Sequence, residues 1–136
     1  MVKRHGFAVT GVDFADQALK RLESFSEEQG LHVNAYQRDL DDPYTLADLG
    51  CFDNILVVHF KPTIHTFQAM SGMLRTDGIL LMTSFNVLQH ARNNFPKAYC
   101  YAEREYVGVD PSLELLDYLS YADERGYFDG YIFRKM

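Results

Sequence analysis

Cysteine, positive charge and long apolar runs are all in short supply in this chain, and each shortage removes a class of protein. Only two of its 136 residues are cysteine. Cys51 and Cys100 lie far apart and form no CxxC pattern, so neither a disulfide framework nor a zinc site is expected and both thiols should stay reduced. Thirteen Lys and Arg are set against nineteen Asp and Glu, which gives a formal net charge of -6 and a pI near 5.2. A surface that neutralises phosphates needs clustered cations. No nucleic-acid partner is therefore expected, and the short basic start Lys3-Arg4-His5 reads as the solvated end of a helix. No stretch approaches the roughly 18 to 20 apolar residues of a membrane span, and no long apolar run follows the basic start. That predicts no membrane partner and a cytoplasmic location.

What the chain does have is enough apolar material for a core. Hydrophobic residues make up 47% and aromatic residues 14% of it, which at this length suits one domain over residues 1–136. Apolar runs with β-branched residues alternate with helical patterns, as in βαβ units with a mostly parallel sheet. The first run, Phe7 to Val12, ends at Asp13. A helix should follow with Ala15, Ala18, Leu19, Leu22 and Phe25 on one face, closed by Gly30. A second strand, Leu31 to Tyr36, leads into Arg38-Asp39-Leu40 and the acidic turn Asp41-Asp42-Pro43.

Phe52 to Phe60 reads as a third strand, continuously apolar at Ile55-Leu56-Val57-Val58 as in a strand covered on both faces. Pro62 suits a first helical turn, and Ile64, Phe67, Met70, Met73 and Leu74 give the next helix its buried face. Asp77-Gly78 marks a turn into a fourth strand, Ile79 to Phe85. Asn86 to Lys97 reads as a loop or short helix and Tyr101 to Val107 as another short helix. Leu113 to Tyr121 and Tyr127 to Phe133, joined by Asp123-Glu124-Arg125-Gly126, predict an antiparallel hairpin at the sheet edge.

In this order the stretches resemble the class I S-adenosylmethionine-dependent methyltransferases, especially the small bacterial branch that includes tellurite-resistance-type enzymes. Lys3 to Asp13 is similar to that family's passage from its first core helix into its second strand. Phe52 to Val58 resembles its fourth strand, and Leu74 to Leu81 its turn into the fifth, with Arg75-Thr76-Asp77 departing in detail and Gly78 kept. Each motif is weak alone; the order makes the case. The resemblance implies a Rossmann-like α/β sheet flanked by helices, without the family's first strand and helix and the glycine-rich loop between them, and with a C-terminal antiparallel hairpin. Neither Gly6 nor Gly11 stands at a strand-to-helix turn, so neither replaces that loop. Loss of a central strand would leave unpaired backbone groups on the strands ending at Asp13 and His59. Three repairs are open: a second chain supplies the strand, the two strands pair directly, or a homo-oligomer forms through the gap.

The same resemblance implies S-adenosylmethionine as cofactor, with no metal. Asp13 would accept the ribose hydroxyls, or alternatively cap the helix after it. Phe14 would lie beside the adenine or be a core aromatic. Asp39, followed by Leu40, would face the adenine amino group or be a solvated member of the acidic turn. His59 and Phe60 fall where the family's small-molecule substrate meets the methyl group, and His59 would be the general base or a satisfied histidine. His59, His65 and His90 lack metal-ligand spacing. Tyr99, Tyr101 and Tyr106 read as cover for an open core edge rather than a mobile lid. Two functions stay in view: methyl transfer to a small molecule, and a non-catalytic remnant that oligomerises or binds a partner.

Overall fold

The computed structural model describes residues 9–13, 15–30, 33–42 and 44–136. The basic start, the beginnings of the first two expected strands, Phe14 and Pro43 lie outside the described residues. The chain forms two compact units, Met1–Leu46 and Ala47–Met136.

In the first unit, β1 (Val9–Asp13) runs parallel to β2 (Val33–Gln37), with α1 (Asp16–Glu28) between them in sequence. A Cβ added at Gly11 would come 2.8 Å from Leu22 Cδ2, so the small residue lets α1 lie close to β1. Leu19 is buried as expected, but Phe25 is 45% exposed and Ser26 is buried in its stead. The Ser26 hydroxyl donates to the Leu22 carbonyl (2.6 Å), so a polar side chain turns inward without an unmet hydrogen bond. Gly30 follows the helix at φ +66°, a conformation that glycine adopts without steric cost.

The second unit holds β3 (Phe52–Val58), α2 (Ile64–Met73), β4 (Leu74–Phe85), α3 (Val87–Asn93), a 3-10 turn (Lys97–Tyr99), β5 (Leu113–Asp123) and β6 (Gly126–Lys135). Its sheet has the order β3-β4-β6-β5. β3 and β4 are parallel, whereas β6 is antiparallel to both β4 and β5. The C-terminal hairpin thus forms as expected, with its second strand innermost. Only one of the three pairings in this sheet is parallel, so it is not the mostly parallel sheet expected.

Several local expectations are corrected. Pro62 precedes the N-cap of α2 rather than entering its first turn; Thr63 caps the helix, its hydroxyl oxygen accepting from the Thr66 N–H (3.2 Å). Ile64, expected on the buried face, is 42% exposed. Asp77-Gly78 is an irregularity inside β4, where the register with β3 shifts, not a turn ahead of it. Asp77 has φ +68°, and a Cβ on Gly78 would strike the Asp53 and Arg75 carbonyl oxygens. Asn86 to Lys97, expected as a loop or short helix, does hold a short helix, α3, whose N-cap Asn86 accepts from the Leu88 N–H (2.9 Å) and which ends at Asn94 with φ +57°. The expected helix over Tyr101 to Val107 is instead a run of turns.

Alternation along the strands sorts this sheet into two faces. Val57, Leu80, Met82, Tyr131 and Phe133 occupy one, and all are buried. Against them pack Phe67 of α2 and the fully buried Tyr101 and Tyr106, with ring centroids 5.0 to 5.9 Å apart. Leu56, Val58, Leu81, Leu119 and Tyr121 occupy the other face and are 36 to 64% exposed.

Candidate cofactor and acceptor site

Each unit gathers expected site residues at the carboxyl ends of its parallel strands. In the first unit the Arg38 N–H donates to the Asp13 carbonyl (3.0 Å), which brings the ends of β1 and β2 together with Asp39 one residue further on. Both carboxylates are exposed. Asp13 Oδ1 accepts from the Ala15 N–H (3.0 Å), and Asp39 Oδ1 from the Asp41 N–H (3.0 Å). Asp13 therefore shapes the turn before α1 but is not its cap, which is Ala15 and makes no side-chain hydrogen bond. Among the described residues, Asp13 Oδ2 has no partner, so it can accept from a ligand hydroxyl. Leu40 is half-buried.

In the second unit His59 follows β3 at φ +56°, in the left-handed region that residues with a Cβ seldom adopt. Its N–H donates to the Thr83 carbonyl (2.9 Å), and its exposed ring lies 5.5 Å from that of Phe85 and 5.9 Å from that of Phe128. The residues after it are held from below. The Tyr101 hydroxyl donates to the Phe60 carbonyl (2.7 Å), and the Tyr106 hydroxyl to the Pro62 carbonyl (2.6 Å). Burial pushes both phenols well above their ordinary pKa, so they remain donors. Lys61 pairs with Glu105 at 3.4 Å.

Tyr101 and Tyr106 thus belong to the core, whereas Tyr99 is 65% exposed. His90 is spoken for, its Nδ1 lying 2.9 Å from the Phe95 carbonyl, and His65 is exposed on α2. No three His, Cys, Asp or Glu side chains among the described residues are grouped to hold a metal ion. Both cysteines are free, Cys51 exposed and Cys100 buried.

Sequence reasoning missed Asn86, Tyr118, Ser120 and Asp129, which form one hydrogen-bonded group. The only signal was an Asp flanked by aromatics in a strand, and it does not say which strand will bring donors.

The α/β architecture with its terminal antiparallel hairpin is the fold of class I S-adenosylmethionine-dependent methyltransferases. TehB from Haemophilus influenzae superposes with a TM-score of 0.74 at 17% identity, over 96% of this chain and 51% of TehB. A methyltransferase from Clostridium acetobutylicum ATCC 824 gives 0.75 at 13% identity, over 95% of this chain and 75% of that one. The N-methyltransferase NodS from Bradyrhizobium japonicum WM9, solved with S-adenosyl-L-homocysteine, gives 0.73 at 16%, over 94% and 66%. The likeness is one of fold, and the chain spans about half the length of TehB. No protein-family model matches the sequence. No curated protein matches it either.

Proposed function

We propose that this chain is the body of an S-adenosylmethionine-dependent methyltransferase acting on a small-molecule acceptor. The observation that carries the reading is the exposed Asp13 carboxylate at the carboxyl end of a parallel strand, with one oxygen open, in a fold whose solved examples bind this cofactor or its product. Asp13 accepts the ribose hydroxyls, Asp39 accepts from the adenine amino group, and Phe14, Leu40 and Phe60 supply apolar contact. When bound, the cofactor supplies an electrophilic methyl group on its sulfonium. The chain's own contribution is alignment of donor and acceptor, and His59 takes the acceptor's proton. The reading calls on no metal, treats residues 1–136 as one working domain, and goes with a cytoplasmic location.

A second reading is favoured by one observation: β3 pairs only with β4 among the described strands, and its Leu56 and Val58 are 64% and 48% exposed. An apolar strand at an open edge invites another chain, so the fold would serve as an oligomerising or partner-binding module. Titration calorimetry with S-adenosylmethionine and S-adenosylhomocysteine, beside sedimentation of the same sample, separates the two. Micromolar binding supports the enzyme. A folded oligomer that binds neither compound supports the module.

A further inference from the structure

Asp129 is a buried carboxylate for which methyl transfer as drawn above has no use. It stands on β6 and is 2% exposed. Its Oδ1 accepts from Asn86 Nδ2 (2.9 Å) and from the Ser120 hydroxyl (2.6 Å), and its Oδ2 from the Tyr118 hydroxyl (2.7 Å). All three donors are neutral. Among the described residues no Lys, Arg or His forms an ion pair with it. The neighbouring cations are engaged elsewhere: Arg104 over the Tyr118 ring at 5.2 Å, Arg92 over Tyr127 at 5.6 Å, and Arg125 over Phe128 at 4.9 Å while paired with Asp123. Removing a carboxylate from water carries a desolvation cost that neutral hydrogen bonds offset only in part. The charge therefore projects on whatever lies beside it.

What lies beside it is a cleft of about 240 Å³, lined by Asn86, Leu88, Ser120, Tyr121, Ala122 and Tyr127. Two of the three donors to Asp129 are thus also its wall. Because the Ser120 O–H is given to the carboxylate, its remaining lone pair is left to accept, and the charge behind polarises it. Asn86 Oδ1 is committed to Leu88 N–H, and the Tyr121 hydroxyl to Thr83 Oγ1 (2.7 Å). Tyr127 lines the cleft with the Arg92 guanidinium 5.6 Å over its ring, a place where a cation already rests, whereas the Tyr121 ring, one residue on from Ser120, turns to the other face of the sheet. An anion here would meet a carboxylate with no counter-charge, and a neutral ligand would draw nothing from it. A cation gains from the field and the acceptor together.

We propose that this cleft binds an organic ammonium group, the protonated amine of a small molecule. On the other face of the same strands Tyr121 stacks on Phe128 at 5.3 Å, and Phe128 meets His59 at 5.9 Å, so the residue assigned as base sits across the sheet end from the cleft. If the chain is a methyltransferase, the ammonium belongs to its acceptor; the cleft itself does not depend on methyl transfer.

The test uses the whole chain and two probes of like shape, benzylamine and benzyl alcohol, at a pH where the amine is protonated. Binding is followed by calorimetry and by amide NMR shifts at Leu88, Ser120 and Tyr127. Benzylamine should bind about tenfold or more tighter than the alcohol, and Asp129→Asn should erase the difference. Should that variant fail to fold, Ser120→Ala, at an exposed position, should weaken benzylamine several-fold and leave the alcohol unchanged. Equal binding of the two probes, no saturable binding of benzylamine, or indifference to both variants overturns the proposal. S-adenosylmethionine is titrated separately. Benzylamine binding without cofactor binding keeps the cleft and removes the methyltransferase reading, and the reverse outcome does the reverse.

Discussion

At φ +56° the backbone of His59 costs a residue bearing a Cβ about 1–2 kcal/mol, a cost that glycine escapes. Its ring contacts with Phe85 and Phe128 return a comparable amount, about 0.5–1.5 kcal/mol for each aromatic pair. The two effects can be separated by substitution. His59→Ala loses the rings and keeps the strain, so it should lower stability by about 1–2 kcal/mol; His59→Gly loses both and should stay near the parent, as read from denaturant midpoints. If the imidazole is the base, both variants lose methyl transfer while S-adenosylmethionine affinity holds. Asp13 is tested in the opposite sense. A ligand hydroxyl on a carboxylate is worth about 1.5–3 kcal/mol, so Asp13→Ala should weaken the cofactor by roughly ten- to a hundredfold. A variant with lower melting temperature and unchanged affinity would reduce Asp13 to its hydrogen bond with Ala15.

At the scale of elements, small polar clasps decide how the pieces meet. Lys135 Nζ, on β6, donates to the Ser71 carbonyl (2.9 Å), the Ser71 hydroxyl (3.2 Å) and the Ser112 hydroxyl (3.1 Å), tying α2 to the last strand. Asp110 joins them, accepting from the Ser112 N–H (2.9 Å) and hydroxyl (2.7 Å). Burial alone would raise the Asp110 carboxyl, but hydrogen bonds from Ser112 and Ser71 and the charge of Lys135 outweigh it and hold the pKa below the ordinary value. A depressed pKa stabilises the fold above the unfolded-state value, and that stability is lost as pH falls through the folded value. Thermal melts from neutral to acid pH should therefore fall less steeply in Asp110→Asn than in the parent; parallel curves would show that the carboxylate contributes nothing. The ties from Lys135 were not legible in advance, because they join residues far apart in sequence. The strands and helices were legible, since they follow from periodicity within a few residues. Faces were less so: Ser26 displaces Phe25 because a hydroxyl can satisfy itself on its own helix, and Leu74 to Phe85 is one strand because Asp77 and Gly78 absorb an irregularity without ending it.

For the whole molecule, the central question is what lies on the side of the sheet that carries Leu56, Val58, Leu81, Leu119 and Tyr121. The sequence showed that β3 is apolar throughout its centre and led to the expectation of cover on both faces. Only the register with β4 shows that Val57 turns to the core while Leu56 and Val58 turn out. Likewise the carboxyl-end positions of Asp13, Asp39 and His59 could be anticipated from strand ends, but the buried Asp129 needed the pairing of β5 with β6. The exposed face and the edge of β3, unpaired among the described strands, differ in what they predict. A face buries area without direction, whereas an edge adds backbone hydrogen bonds and so selects a strand. Charged gatekeepers distinguish them: Leu56→Lys and Val58→Lys together place two cations on both features, while Leu119→Lys touches only the face. Sedimentation equilibrium of the parent should show concentration-dependent association. If the edge drives it, the double variant becomes monomeric and Leu119→Lys still associates. If the face drives it, both variants become monomeric. A parent chain that is monomeric at every concentration, and that binds S-adenosylmethionine, removes the module reading and leaves methyl transfer.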